Sequence, residues 1–204
     1  MLDDRDPATL FDAAHARWGA DRDLWVFGYA SLIWRPEFEA AERRPALLHG
    51  WHRSLQMYSS VNRGTPEVPG LVCALVSGGS CRGVVYRVER ERGERELRRL
   101  WAREMPDGAY DPRWLPCRTA EGNVEALAFT LSRRSPHHLG RLGDAQVVEV
   151  LRHATGRFGT TLDYLLQTAA SLRDCGIRDR ELERLVTLAR RHGLLTGRIQ
   201  VDVP

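Results

Sequence analysis

The feature that most constrains this 204-residue chain is a change of hydrophobic period part-way along it. Up to about residue 131 the apolar residues come mainly in short runs bounded by turn formers, the mark of strands. These runs fall at Leu24–Tyr29 and at about 46–58, 70–76, 83–88, 113–118 and 124–131. Ser77-Gly-Gly-Ser80 separates the third from the fourth, so that pair reads as a hairpin. From Asp144 the spacing becomes helical, over about 144–154, 160–173 and 178–192. The last of these carries Leu182, Leu185, Val186 and Leu188 on one face. Strands in succession followed by segregated helices predict an α+β fold, a mixed α/β sheet of about six strands with a helical C-terminal segment, rather than a doubly wound one. An N-terminal helix over residues 6–18 opens on Asp6 as N-cap with Pro7 in the first turn. Residues 1–23 read as a helical extension, and 24–204 as the main domain, including the C-terminal helices at about 144–192.

Composition narrows the class. With 43% hydrophobic and 28% charged residues the chain reads as an ordinary globular protein with a real core. No run approaches the ~18 apolar residues of a membrane span. The opening Met-Leu-Asp-Asp-Arg-Asp does not read as a secretory leader. Net charge is +3, and every one of the 30 basic residues is Arg. Those arginines are interleaved with acids over 87–104 and 173–191, the pattern of a solvated, ion-paired surface, so no nucleic-acid partner is expected. Cys73, Cys81, Cys117 and Cys175 form no Cys-x-x-Cys pair, which argues against a zinc knuckle or thioredoxin-type motif and suits a reducing cytoplasm.

One carboxylate stands out. In the helical stretch 94–105, Leu97, Leu100, Trp101 and Met105 form one stripe at about 100° per residue, and Glu104 falls inside it. Arg95, Glu96, Arg98, Arg99 and Arg103 are expected on its flanks or far side. A Glu on a buried face is either paired with an Arg for structure or held with a raised pKa, as a general base requires.

Elsewhere the motifs exclude more than they assign. Phe27-Gly-Tyr-Ala-Ser-Leu32 ends a strand, where small residues let backbone N–H groups form either an anion nest or a plain turn. It is not G-x-G-x-x-G, a P-loop or Gly-x-Ser-x-Gly. His49 and His52 are three apart on a strand and so expected on opposite faces, and His137 and His138 share a polar loop; no metal set results.

Taken together, three stretches resemble the ChaC-type γ-glutamylcyclotransferases, over about Leu24 to Leu188. They are Val26-Phe-Gly-Tyr-Ala-Ser-Leu-Ile-Trp34; Glu42-Arg-Arg-Pro with His49-Gly-Trp-His-Arg-Ser54 and Arg63-Gly-Thr-Pro-Glu-Val-Pro-Gly-Leu71; and Gly83-Val-Val-Tyr86 with Trp101-Ala-Arg-Glu-Met105, Tyr110 and Arg113-Trp-Leu-Pro116. The resemblance implies a barrel-like mixed fold and a cytosolic enzyme that cleaves glutathione to 5-oxoproline and cysteinylglycine. The family's catalytic Glu matches Glu104. Ala30 stands where the family has Gly; if that position needs φ > 0, Ala costs roughly 1 kcal/mol. Thr161-Leu-Asp-Tyr-Leu165 stands where the family tends to show Asn-x-x-Tyr-Leu.

A γ-glutamyl substrate carries its own nucleophile, so the implied reaction asks for no metal, cofactor or enzyme nucleophile, only for proton transfer by Glu104. The segment Val26, Phe27, Gly28, Tyr29, Ala30, Ser31 and Leu32 is the expected cradle for the substrate carboxylate. Arg53 or Arg63 is expected to assist it, and Tyr110 to orient the reacting carbonyl, unless Tyr110 is a packed core residue. The alternatives left open are action on other γ-glutamyl amines or amino acids, and a non-catalytic γ-glutamyl-binding module.

Overall fold

The computed structural model describes residues 5–195. In chain order the elements are α1 (Pro7–Trp18), β1 (Leu24–Gly28), α2 (Ser31–Trp34), β2 (Glu42–Ser59), β3 (Gly70–Val88), α3 (Arg90–Glu104), β4 (Asp111–Thr119) and β5 (Gly122–Thr130). After these come α4 (Asp144–His153), the short strands β6 (Thr155–Gly156) and β7 (Gly159–Thr160), α5 (Thr161–Asp174) and α6 (Arg180–Arg191). The chain divides into two compact units. One holds the residues up to Ser54 with Ala74–His138, the other Leu55–Cys73 with the residues from Leu139 onward.

The first unit is built on a closed barrel in the order β1-β3-β2-β4-β5. β1 runs antiparallel to β3, with Leu24 opposite Val88 and Gly28 opposite Val84. The β4–β5 hairpin pairs Asp111 with Thr130 through to Thr119 with Gly122. Parallel contacts of β5 with β1, at Val26 and Leu127, and with β3, at Leu75 and Thr130, close the ring. Leu24, Phe27, Leu48, Leu75, Val85, Leu97 and Leu127 are all fully buried, so the alternating and continuous apolar runs of the sequence become the core. The barrel has one strand fewer than the six expected. Residues 70–76 and 83–88 belong to one strand, because Gly78 and Gly79 take φ of +101° and +73° and no loop interrupts the extended chain. Gly50, at φ +82°, likewise breaks the alternation of β2. His49 Nδ1 lies 3.3 Å from Ser80 Oγ and His52 Nδ1 2.8 Å from Gly78 O, so both histidines meet the middle of β3.

α1 belongs to this unit. Asp6 caps it by accepting the Thr9 N–H at 2.8 Å, with Pro7 in its first turn, as the sequence required. α3 begins where Asp23 accepts the Arg90 N–H at 3.0 Å, and it ends at Met105, whose N–H still reaches Trp101 O before Pro106 forbids another turn.

In the second unit α4, α5 and α6 pack on the faces their periodicity marked, burying Val147, Leu151, Leu165, Leu172, Leu182 and Leu185. Arg63 is buried here, donating to Phe158 O at 2.6 Å and lying 5.3 Å from the Tyr164 ring centroid. It clasps the β6–β7 turn onto the 59–70 loop. No helix among the described residues is long and apolar enough to cross a membrane.

Candidate active site

The candidate site lies within the first unit, where the end of α3 meets the turn between β1 and α2. Glu104 is the last residue of α3, and 13% of its side chain is exposed. Burial pushes its carboxyl above the ordinary range. The Arg103 guanidinium opposes that rise, and the charge of Glu37 adds to it. Arg103 Nε pairs with Glu104 Oε1 at 2.9 Å. The same guanidinium donates to Ser31 Oγ at 3.1 Å and to the Arg35 carbonyl, and it lies 3.4 Å from Glu37 Oε2. One arginine thus ties the helix end to Ser31, the first residue of α2.

The turn itself is held from three sides. Gly28 leaves room for the Tyr86 ring: a Cβ there would sit 2.9 Å from Tyr86 Cε2. Tyr86 OH in turn donates to Leu32 O at 2.9 Å. Tyr29 OH donates to Phe129 O at 3.0 Å, and the Tyr29 carbonyl accepts from Arg53 Nε at 2.5 Å. Val26 and Phe27 are buried mid-ladder and serve as wall. Ala30 has φ −144°, outside the left-handed region, so its Cβ carries no αL penalty.

The expected site residues take different places. Glu104, Ser31 and the turn 28–32 are brought together through Arg103. Arg53 is buried and bonds the Tyr29 and Arg82 carbonyls, which makes it a support of the turn. Arg63 lies in the second unit, on Phe158 O. The Tyr110 ring packs edge-on against Phe129, 6.1 Å between centroids, and Trp101 meets that same ring at 5.9 Å. Among the described residues no group of three or more His, Cys, Asp or Glu is placed to hold a metal ion. Burial pushes the Cys117 thiol up to about 12, which leaves it no thiolate for nucleophilic use near neutral pH.

The ChaC-like protein family's sequence model matches residues 24–192, which include all of this site. The chain belongs to the ChaC-like family. Among curated relatives, the "Glutathione-specific gamma-glutamylcyclotransferase" of Escherichia coli (strain K12) is 35% identical over 164 residues, covering 80% of this chain and 71% of that protein. The human "Glutathione-specific gamma-glutamylcyclotransferase 1" is 31% identical, covering 78% of this chain and 73% of its own length. Among solved structures, a yeast γ-glutamyl cyclotransferase specific to glutathione superposes with a TM-score of 0.76 at 20% identity. The match covers 84% of this chain and 97% of the yeast chain, a likeness of fold that agrees with the barrel described above.

Two ChaC-like positions at which this chain departs from the family pattern are accommodated. Ala30 is the first. At the second, the Thr161 hydroxyl accepts the Leu71 N–H at 3.0 Å and donates to Arg63 O at 3.2 Å, while Tyr164 OH accepts the Cys73 N–H at 3.1 Å. Sequence reading missed Arg103 and Glu37. Neighbouring side chains on a helix do not face each other, so periodicity sends Arg103 away from Glu104. The long arginine stem nonetheless folds back onto the neighbouring carboxylate, as Arg95 does to Glu96 in the same helix. Glu37, at φ +57°, carries no sequence signal at all.

Proposed function

We propose that this ChaC-like protein is a γ-glutamylcyclotransferase that converts glutathione to 5-oxoproline and cysteinylglycine, with Glu104 as general base and then general acid. The observation that carries the reading is the single guanidinium of Arg103, which joins a buried carboxylate of raised pKa to the turn expected to cradle an anion.

The α-amine of a γ-glutamyl group has a pKa of about 8 and is mostly protonated at pH 7. Glu104 removes that proton. The freed nitrogen attacks the γ-glutamyl carbonyl carbon, forming the N–C bond of a five-membered ring. Collapse of the tetrahedral intermediate breaks the bond to the cysteine nitrogen as Glu104 returns the first proton to that leaving amine; the ring nitrogen then gives up a second proton, so the lactam keeps one N–H and cysteinylglycine leaves as an ammonium. Because both reacting groups belong to one molecule, effective molarities on the order of 10⁵ M or more are available once the conformer is held. A raised pKa suits Glu104 to both transfers, since a base near the working pH is neither too weak to take the proton nor too strong to return it.

In our reading the turn Gly28–Leu32 and the Ser31 hydroxyl receive the substrate's α-carboxylate. Val26 and Phe27 back the turn, and Arg53 fixes it through the Tyr29 carbonyl. Tyr110 orients the scissile carbonyl from its seat on Phe129. None of the four cysteines is in a disulfide and three of them are buried, and we place the protein in the reducing cytoplasm.

The test is incubation of the purified chain with reduced glutathione in the presence of EDTA, with mass-spectrometric detection of both products. Release of 5-oxoproline and cysteinylglycine together is expected. If neither forms while γ-Glu-Ala is turned over, the substrate is another γ-glutamyl compound. If neither substrate reacts, the reading is wrong.

A further inference from the structure

α1 and the residue before its cap lie outside the stretch matched by the family, and the sequence assigns them no role. In the structure they hold the chain on both sides of Glu104. Three residues before it, Trp101 Nε1 donates to the Pro7 carbonyl at 2.8 Å. Four residues after it, Arg5 takes the loop that follows α3. Arg5 Nε and Nη2 donate to Gly108 O at 3.1 and 2.9 Å, Nη2 reaches Ala109 O at 2.9 Å, and Nη1 pairs with Asp111 Oδ1 at 2.9 Å. The approach is close. Gly108 has φ +66°, and a Cβ there would sit 2.1 Å from Arg5 O. Asp111 opens β4, and Tyr110 precedes it. Behind these anchors the Phe11 ring packs edge-on against Trp101 at 5.4 Å and under the Arg98 guanidinium at 4.8 Å.

A carboxylate at the last position of a helix has no following turn to hold it, and Pro106 rules out extending that helix. Its place is then set by whatever fixes the chain just before and just after. Here residues 5–7 supply one fixing on each side, beside the tie that Arg103 makes to Ser31. We propose that the N-terminal segment is a brace that positions Glu104 for proton transfer, with the fork of Arg5 as its principal clamp; the proposal rests on Glu104 being the base assigned above. Arg5 touches no reacting atom in this scheme and is a positioning residue. Proton transfer needs its partners within about 3 Å, and misplacement by about 1 Å can cost on the order of 100-fold, so loosening the clamp acts on the chemical step before it acts on binding.

Arg5→Lys tests this with little risk to the fold. It keeps the charge, but a single ammonium cannot span two carbonyls and a carboxylate in fork geometry. The expected result is a fall in kcat of about tenfold with KM for glutathione changed by less than about twofold. The control is Arg17→Ala, which unfastens the far end of α1 from Glu125 and should leave kcat within about twofold of wild type. A second readout needs no substrate. In chain carrying ¹³C at the Glu carboxyls, the titration of Glu104 moves down toward the ordinary range in Arg5→Lys as water reaches it. The charged neighbours of Glu104, Arg103 and Glu37, are untouched by the change.

An Arg5→Lys enzyme with kcat within about twofold of wild type overturns the brace, as does an equal loss in Arg17→Ala. If wild type releases no 5-oxoproline, the assigned reaction fails and the titration alone decides. A downward shift in Arg5→Lys then supports the brace, and an unmoved titration overturns it.

Discussion

Glu96 and Glu104 project from the same helix, eight residues apart, and both leave bulk water, yet their surroundings differ in kind. The Glu96 side chain is 1% exposed, and two guanidiniums that themselves stand mostly in solvent reach back to it, Arg95 at 2.8 Å and Arg99 at 3.2 Å. Glu104 is less buried, but its one guanidinium is divided among Ser31, the Arg35 carbonyl, Glu37 and Glu104 itself. The difference lies in how each desolvation is offset. At Glu96 two guanidiniums close on one carboxylate, whereas at Glu104 the one compensating cation is shared with other acceptors, and the carboxyl stays raised.

The sharpest way to break this comparison is to neutralise each carboxylate in turn. Glu104→Gln should lower kcat for 5-oxoproline release by about 10²- to 10⁴-fold, the range of a lost general acid–base. Its fold should persist. A carboxyl whose pKa is raised on folding contributes stability that is full below its unfolded pKa and is lost as pH rises through the folded value, so the amide should not lower Tm at pH 8. Glu96→Gln should do the reverse, keeping kcat within about twofold and costing about 1 kcal/mol of stability in denaturant melts. A loss of turnover at Glu96 as large as that at Glu104 would erase the distinction.

A smaller effect is expected at Glu37. Replacing it with Gln removes a negative charge near Glu104 and leaves Arg103 less neutralised. Both changes lower the Glu104 pKa, so the acid limb of kcat should move to lower pH, by less than about one unit for so exposed a partner. Movement to higher pH would show that Glu37 acts by holding Arg103 in place rather than through its charge. The smallest effect concerns the turn opposite Glu104. With Ala30 at φ −144°, Ala30→Gly relieves no left-handed strain; kcat/KM should stay within about twofold, and stability should fall by less than about 1 kcal/mol through the freer unfolded chain. A tenfold gain in kcat/KM would mean that the turn passes through a left-handed geometry when substrate binds.

Most of the elements, and a carboxylate out of place in an apolar stripe, were legible in the sequence. Asp6-Pro7, the stripe of α3 and the period of α4–α6 are local signals, fixed by caps and by which face each helix must bury, and each element formed within a few residues of its expected bounds. Glu104 was legible for the same reason, as a charge in an apolar stripe. What only the tertiary structure decided is everything that depends on contacts distant in the chain or on a break in periodicity. The strands at 70–76 and 83–88 became one because two left-handed glycines carried the strand onward. Glu96 was buried although periodicity placed it on the flank. Arg53 went to a carbonyl of the turn, and Arg103, pointed away by helical spacing, folded back onto Glu104. Periodicity reports which face a residue takes within one element. It holds no information on which two elements meet, and at this site the chemistry depends on that meeting.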